Sequence, residues 1–129
     1  MSSRYCIDSF AWLEYFKGTT KGAQAKAIIE KENEIMTSIL AVAEIADKYE
    51  KESMSHEQVL SYVKGRAALL PITITIAVHA AQIKKHMRKQ NTKFGLADAI
   101  HLATAMEEKT ILVTTDNDFK GAENVIIIA

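Results

Sequence analysis

The chain has little of what would tie it to an oxidising, fibrous or membrane setting. It carries one cysteine, one proline and five glycines, and no apolar run approaches the ~18 to 20 residues that span a bilayer. A lone Cys6 excludes an internal disulfide and a cysteine-built zinc site. Its place between Tyr5 and Ile7, in an apolar stretch, marks it for core packing rather than redox work. With Pro71 the only proline and no Gly/Ser-rich, Pro-rich or repeated segment, nothing reads as a linker, so the 129 residues suit one domain, residues 1–129. Excess charge is also missing, since 16 basic side chains balance 16 acidic ones. A chain without net positive charge must hold phosphate through a local basic patch, a metal ion or both. What is present is the mixture of a packed protein, 48% hydrophobic and 25% charged. The polar start, Met1 to Tyr5, runs straight into a strand-like segment, so no secretory leader is expected and a cytoplasmic location is.

Periodicity predicts alternating strands and helices. Arg4 to Ile7 is a short β-prone run ending at Asp8, and Ser9 is placed to cap the amphipathic stretch Phe10 to Phe16, which Gly18 closes. Lys21 to Lys31 predicts a helix with Ala25, Ile28 and Ile29 inward, and Glu34 to Thr37 a strand. Ser38 caps a longer helix from Ile39 to about Glu52, with apolar positions Leu40, Ala43 and Ala46 among charged ones and Glu44 in its second turn. Ser55 to Leu70 reads as a helix opened by a capping box at Ser55 and Gln58. Ile72 to Thr75 reads as a third strand, followed by a helix from Ile76 or Ala77 to about Lys89. Gln90 to Lys93 is loop-like, Leu96 to Lys109 helical, Thr110 to Thr114 a fourth strand, and Val125 to Ile128 a last one.

Strands separated by helices imply an α/β, three-layer α/β/α fold with a central, mostly parallel sheet of four to five strands. In such sheets the ligand site lies beyond the carboxyl ends of the strands. Asp8 and Asp116 are each the first acid after a β-run. Glu44 and Asp98 lie in early helical turns, so all four can face one crevice. Each acid alone has an ordinary explanation: Asp8 can cap a helix, and Asp116 and Asp118 can hydrogen-bond locally in a turn. Glu44 among Ala41, Val42, Ala43, Ile45 and Ala46, and Asp98 among Leu96, Ala97, Ala99, Ile100, Leu102 and Ala103, are harder to explain as surface, because an ionised group in such company needs a partner. Carboxylates ~4 Å apart repel by several kcal/mol at an effective dielectric of about 20, and an oxygen-only cluster selects a hard cation, Mg²⁺ or Mn²⁺. One or two such ions can clamp a phosphodiester, acidify a water and steady a departing oxygen, which is nuclease chemistry.

Other residues carry less. His101 reads as a partly buried helical histidine, with approach to phosphate or metal the alternative. Lys84, Lys85, Arg88, Lys89 and Lys93 form a basic run whose default is a solvated face and whose alternative is RNA phosphate contact. Trp12, Tyr15 and Phe16 fit core packing or a dimer seam better than base stacking.

Four blocks in order resemble the PIN domain, and most nearly the toxin nucleases of VapBC toxin–antitoxin pairs. Tyr5 to Phe16 resembles the opening strand, acid and helix. Thr37 to Ile45 resembles the block carrying the second acid, Glu44. Gly95 to Ala105 resembles the third and most specific block, with Asp98. Leu112 to Phe119 resembles the fourth, with Thr115, Asp116 and Asp118. The resemblance implies an endoribonuclease dependent on Mg²⁺ or Mn²⁺ that leaves 5′-phosphate and 3′-hydroxyl ends, forms a homodimer and is silenced by a VapB-type antitoxin. It implies Asp8, Glu44, Asp98 and Asp116 as metal-binding and catalytic acids, Asp118 as a less certain fifth, and Ser9 and Thr115 as supporting hydroxyls. Phe10 stands where many members carry a small polar residue, which leaves Ser9 as the helper there. The alternatives are a PIN nuclease of RNA processing or a non-catalytic PIN module binding RNA or protein. A phospho-acceptor receiver is disfavoured, because neither Asp8-Ser9 nor the apolar finish supplies its paired acids and late lysine.

Overall fold

In the computed structural model of the protein, which describes residues 3–129, β1 (Arg4–Ile7) lies at the centre of a five-stranded sheet. Met1 and Ser2, read above as part of the polar start, lie outside the described residues. The other strands are β2 (Glu34–Ser38), β3 (Ala68–Leu70), β4 (Ile111–Thr114) and β5 (Val125–Ile127), in the order β3-β2-β1-β4-β5, and every pairing is parallel. The helices are α1 (Ser9–Lys17), α2 (Thr20–Ile29), α3 (Ile39–Lys51), α4 (Glu57–Arg66), α5 (Ile74–Met87) and α6 (Leu96–Glu107).

Strand alternation sorts the core into two layers. Cys6 and Leu112, in register, face Ile76, Ala80, Ile83, Leu102 and Phe119 on the side of α5 and α6. Ile7 and Val113, the next pair in register, face Ala11, Trp12, Ala25, Ile45 and Val63 on the side of α1 to α4. Two buried apolar faces are what a parallel sheet needs, because its crossovers put helices on both sides. Cys6 is buried in this core, and burial pushes its thiol pKa up to about 12, so it packs as a small hydrophobe. Trp12 is likewise fully buried, and its indole N–H donates to Thr37 Oγ1 at 3.2 Å. Thr37 in turn donates to the Ile7 carbonyl at 2.5 Å, tying the end of β1 to β2 beside the first acid.

Helix α1 is fixed at both ends. Its N-cap is Asp8, whose carboxylate accepts from the Ala11 amide at 2.9 Å, and it closes on Gly18 in the left-handed region (φ +69°). Helix α2 then packs so closely that a Cβ on Gly22 would stand 2.1 Å from the Glu14 carbonyl oxygen.

Several local expectations are corrected. The third strand is Ala68–Leu70, not Ile72 to Thr75, and the helix expected to reach Leu70 stops at Arg66. Arg66 donates to the carbonyls of Ile29, Lys31 and Asn33, and Ala67 turns extended. The β-branched run after Pro71 instead opens α5, with Thr73 as N-cap accepting from the Ile76 amide at 3.1 Å and Ile74 exposed. Asp8, not Ser9, caps α1. No capping box forms at Ser55 and Gln58, because His56 is the N-cap of α4 and has no side-chain cap bond. In α3 the buried residues are Ala41 and Ile45. No helix among the described residues is long and apolar enough to cross a membrane.

Candidate active site

Every acid singled out by the sequence stands at or near the carboxyl edge of the sheet, where β1, β2 and β4 hand over to the segments that follow them and where α6 begins. Asp8 follows β1 directly and is 1% exposed. Burial pushes its pKa up to about 6, against the opposing pull of the His101 ring, the Thr114 hydroxyl and the Ala11 amide, with Glu44 adding repulsion.

Glu44 projects from α3, and its Oε1 accepts twice, from Ser9 Oγ at 3.0 Å and from His101 Nε2 at 2.6 Å. Burial works to raise the Glu44 pKa, but the hydrogen bond and charge of His101, with the bond from Ser9, outweigh it and leave the pKa below the ordinary value. Ser9, expected as a cap, is thus a carboxylate partner in the first turn of α1.

Asp98 is the third residue of α6, and its Oδ2 accepts from the Gly95 amide at 2.9 Å, closing the first turn as a capping box would. Its pKa is raised, chiefly by burial and further by Asp116 and Asp118, although the Gly95 amide lowers it. Asp116 follows β4, and its Oδ1 accepts from the Asp118 amide at 2.9 Å, folding a single 3₁₀ turn, Asn117–Phe119. This turn presents both aspartates toward α6. Ligand atoms of Asp98, Asp116 and Asp118 lie within 4.8 Å of one another. The three are half-buried and offer oxygen only, a donor set that fits a hard divalent cation.

The structure therefore gathers the acids in two groups. Asp98, Asp116 and Asp118 form the close trio, while Asp8 and Glu44 stand beside it and do not join it. The charges are nonetheless coupled across the groups, since His101 acts on Asp8, Glu44 and Asp98 alike. Asp118, the fifth acid in the sequence reading, is a full member of the trio.

Two side chains took a larger part than the sequence suggested. His101 is 3% exposed and bonded to Glu44. Thr114 is fully buried, accepts from the Asp116 amide at 3.0 Å and acts on Asp8, whereas Thr115, the residue singled out, is half-buried in the turn beyond it. The signal for Thr114 was available: a threonine as the last residue of a central strand faces the same edge as the acids.

The basic run lies at the end of α5 and in the loop after it. Arg88 is partly committed, donating from Nε to the Phe94 carbonyl at 2.7 Å. Asn91 donates to the Asp118 carbonyl at 3.3 Å, and Phe94 packs edge-on against Phe119 with ring centroids 5.4 Å apart. These contacts bring the loop that carries Lys93 against the Asp116–Asp118 turn. Lys85 and Lys89 are exposed on the same helix end.

An open parallel sheet with helices on both faces and a cluster of carboxylates at its carboxyl edge defines the class of protein. The PIN domain profile matches residues 5–124, and the chain belongs to the PIN domain family. Solved structures agree on the fold. A toxin–antitoxin complex from Klebsiella pneumoniae superposes with a TM-score of 0.78 at 22% identity, covering 97% of this chain and 98% of that one. VapC20 of Mycobacterium tuberculosis, described as a toxin that cleaves the sarcin–ricin loop, gives 0.73 at 17% identity, covering 97% and 99%. VapBC2 from Rickettsia felis, bound to a promoter DNA fragment, gives 0.72 at 20% identity, covering 96% of each chain. No individually curated protein sequence matches the chain.

Proposed function

We propose that this single-domain chain is a cytoplasmic, metal-dependent endoribonuclease, the toxin of a VapBC-type pair. The observation that carries the reading is the oxygen-only trio Asp98, Asp116 and Asp118, set beside Asp8 and Glu44 at the sheet edge where ligands of such folds bind. Asp98, Asp116 and Asp118 would form the core of a Mg²⁺ or Mn²⁺ site, with Glu44 and Asp8 completing it directly or through water. One ion, or two, bound there supplies Lewis acidity to a phosphodiester oxygen and makes an attacking water more acidic.

The chain's own groups do the rest. Ser9 and Thr114 hold Glu44 and the Asp116 backbone in place, and Thr115 would steady a carboxylate or a water. The main-chain amides of Ala11, Gly95 and Asp118 each fix one carboxylate oxygen, so few rotations are left to freeze when substrate arrives. Lys84, Lys85, Lys89 and Lys93, with the unbonded part of Arg88, supply the phosphate contacts that a neutral chain needs locally. The fold shared with toxins from antitoxin complexes supports a VapB-type antitoxin as the inhibitory partner. A homodimer is the working form expected for such a toxin.

The test is cleavage of a mixed RNA pool with Mn²⁺, with Mg²⁺ and with EDTA, mapping the product ends. Metal-dependent products with 5′-phosphate and 3′-hydroxyl ends are expected. Metal-independent cleavage, or 2′,3′-cyclic phosphate ends, would sink the reading.

A further inference from the structure

His101 lies deep in the first half of α6, among Ala99, Leu102, Ala103 and Ala105, all buried. An apolar side chain of similar size would fill that place without desolvating two ring nitrogens. Nδ1 is buried and has no hydrogen-bond partner, so the ring's whole polar interaction is the 2.6 Å bond from Nε2 to Glu44 Oε1. The carboxylate has the opposite exposure: its side chain is 32% accessible, against 4% for His101. The ring thus stands on the buried side of Glu44, and the charge of Glu44 is felt by Asp8 at the sheet edge.

The same oxygen also accepts from Ser9 Oγ, so donors from two helices, α1 and α6, converge on one atom of a residue carried by a third. Two donors at Oε1 fix the rotation of the carboxylate and leave Oε2 uncommitted by either bond. A purely structural tie between helices would not need to be placed at Glu44, the carboxylate of α3 whose charge acts on Asp8 at the sheet edge.

We infer that His101 is a positioning residue: it donates from Nε2 to hold Glu44 Oε1, so that Glu44 Oε2 is presented to the cation. This rests on the metal-site reading above. Partners standing behind a ligating group typically change metal affinity by roughly 10- to 100-fold when removed.

The test uses direct Mn²⁺ binding, followed by electron paramagnetic resonance of the free ion, with circular dichroism and thermal melting as fold controls. In His101→Gln the side-chain amide reaches the place of the imidazole Nε2, so affinity is expected within about threefold of the parent. In His101→Asn the amide is too short, and binding is expected to weaken roughly 10- to 100-fold in a protein that still folds. Equal Mn²⁺ affinity in the parent and in folded His101→Asn would overturn the inference, as would a folded His101→Gln that binds no better than the asparagine variant. Failure of the parent chain to bind Mn²⁺ would instead overturn the metal-site reading. A second measurement needs no variant: ¹⁵N-detected spectra of the metal-free protein should show the His101 proton on Nε2. A bare Nε2 would defeat the donor role outright.

Discussion

The two acid groups at the sheet edge differ in how they tolerate their charge. Asp98, Asp116 and Asp118 sit close together, half-buried, and their side-chain hydrogen bonds are to backbone amides of their own turns. Asp8 and Glu44 sit deeper or against other side chains, and Glu44 is answered by Ser9 and His101 before any cation arrives. In the trio Asp98 is raised by burial and by its two neighbours; in the second group Glu44 is held below its ordinary value by His101 and Ser9 despite burial, while burial leaves Asp8 raised. On the proposed reading the trio forms the core of the metal site, and Glu44 and Asp8 complete it from the side.

The largest test of that division is Asp98→Asn. The amide oxygen can still accept from Gly95, so folding should persist, while cleavage should fall by more than the roughly 100-fold typical of residues standing behind a metal ligand. Full activity in a folded variant would erase the distinction between the two groups.

Asp8→Asn probes the other side through stability. Because the folded pKa of Asp8 is raised from 3.8 to about 6, the folded state binds its proton more tightly than the unfolded chain does. Ionised Asp8 therefore costs nothing below pH ~3.8, an increasing amount as pH rises toward 6, and its full penalty above, on the order of 3 kcal/mol. In EDTA, the asparagine variant should melt higher than the parent at pH 7.5, with the advantage vanishing near pH 3.5. An advantage that is equal at both pH values would show that charge is not its cause.

Mn²⁺ sharpens the comparison from the side of the ligand. At a hundredfold excess over its Kd the ion should stabilise the parent by about 2.7 kcal/mol, read as a rise in Tm, and Asp98→Asn should lose most of that rise. A smaller effect is expected away from the acids. Replacing Lys85, Lys89 and Lys93 by Ala should flatten the salt dependence of single-stranded RNA binding by about 0.7 in log–log slope for each phosphate contact removed, and an unchanged slope would exclude the basic run.

The sequence carried the architecture because each strand near the site ends in a chemical signal. Ile7-Asp8, Ser38 before α3, and Thr114-Thr115-Asp116 mark the carboxyl edge in the chain itself. The third strand was misplaced for a local reason: Ile72-Thr73-Ile74-Thr75 has strand composition, but a threonine can also cap, and Thr73 does. The acids were legible; their division into two groups was not, since it depends on how α3 and α6 approach each other. His101 was read as ordinary packing because its partner lies 57 residues earlier in the chain. Thr114 was legible as the last residue of the expected fourth strand, but the resemblance of the fourth block drew attention to Thr115 instead.

The approach of α2 to α1 at Gly22 reaches further than its neighbourhood. With a carbonyl oxygen 2.1 Å from where a methyl would go, α1 behaves as a beam wedged at its far end. Even alanine at position 22 would lever the beam, and the motion would arrive at its other tip, where Asp8 is mounted. A residue with no side chain therefore sets how closely α2 can seat against the helix whose other end carries Asp8.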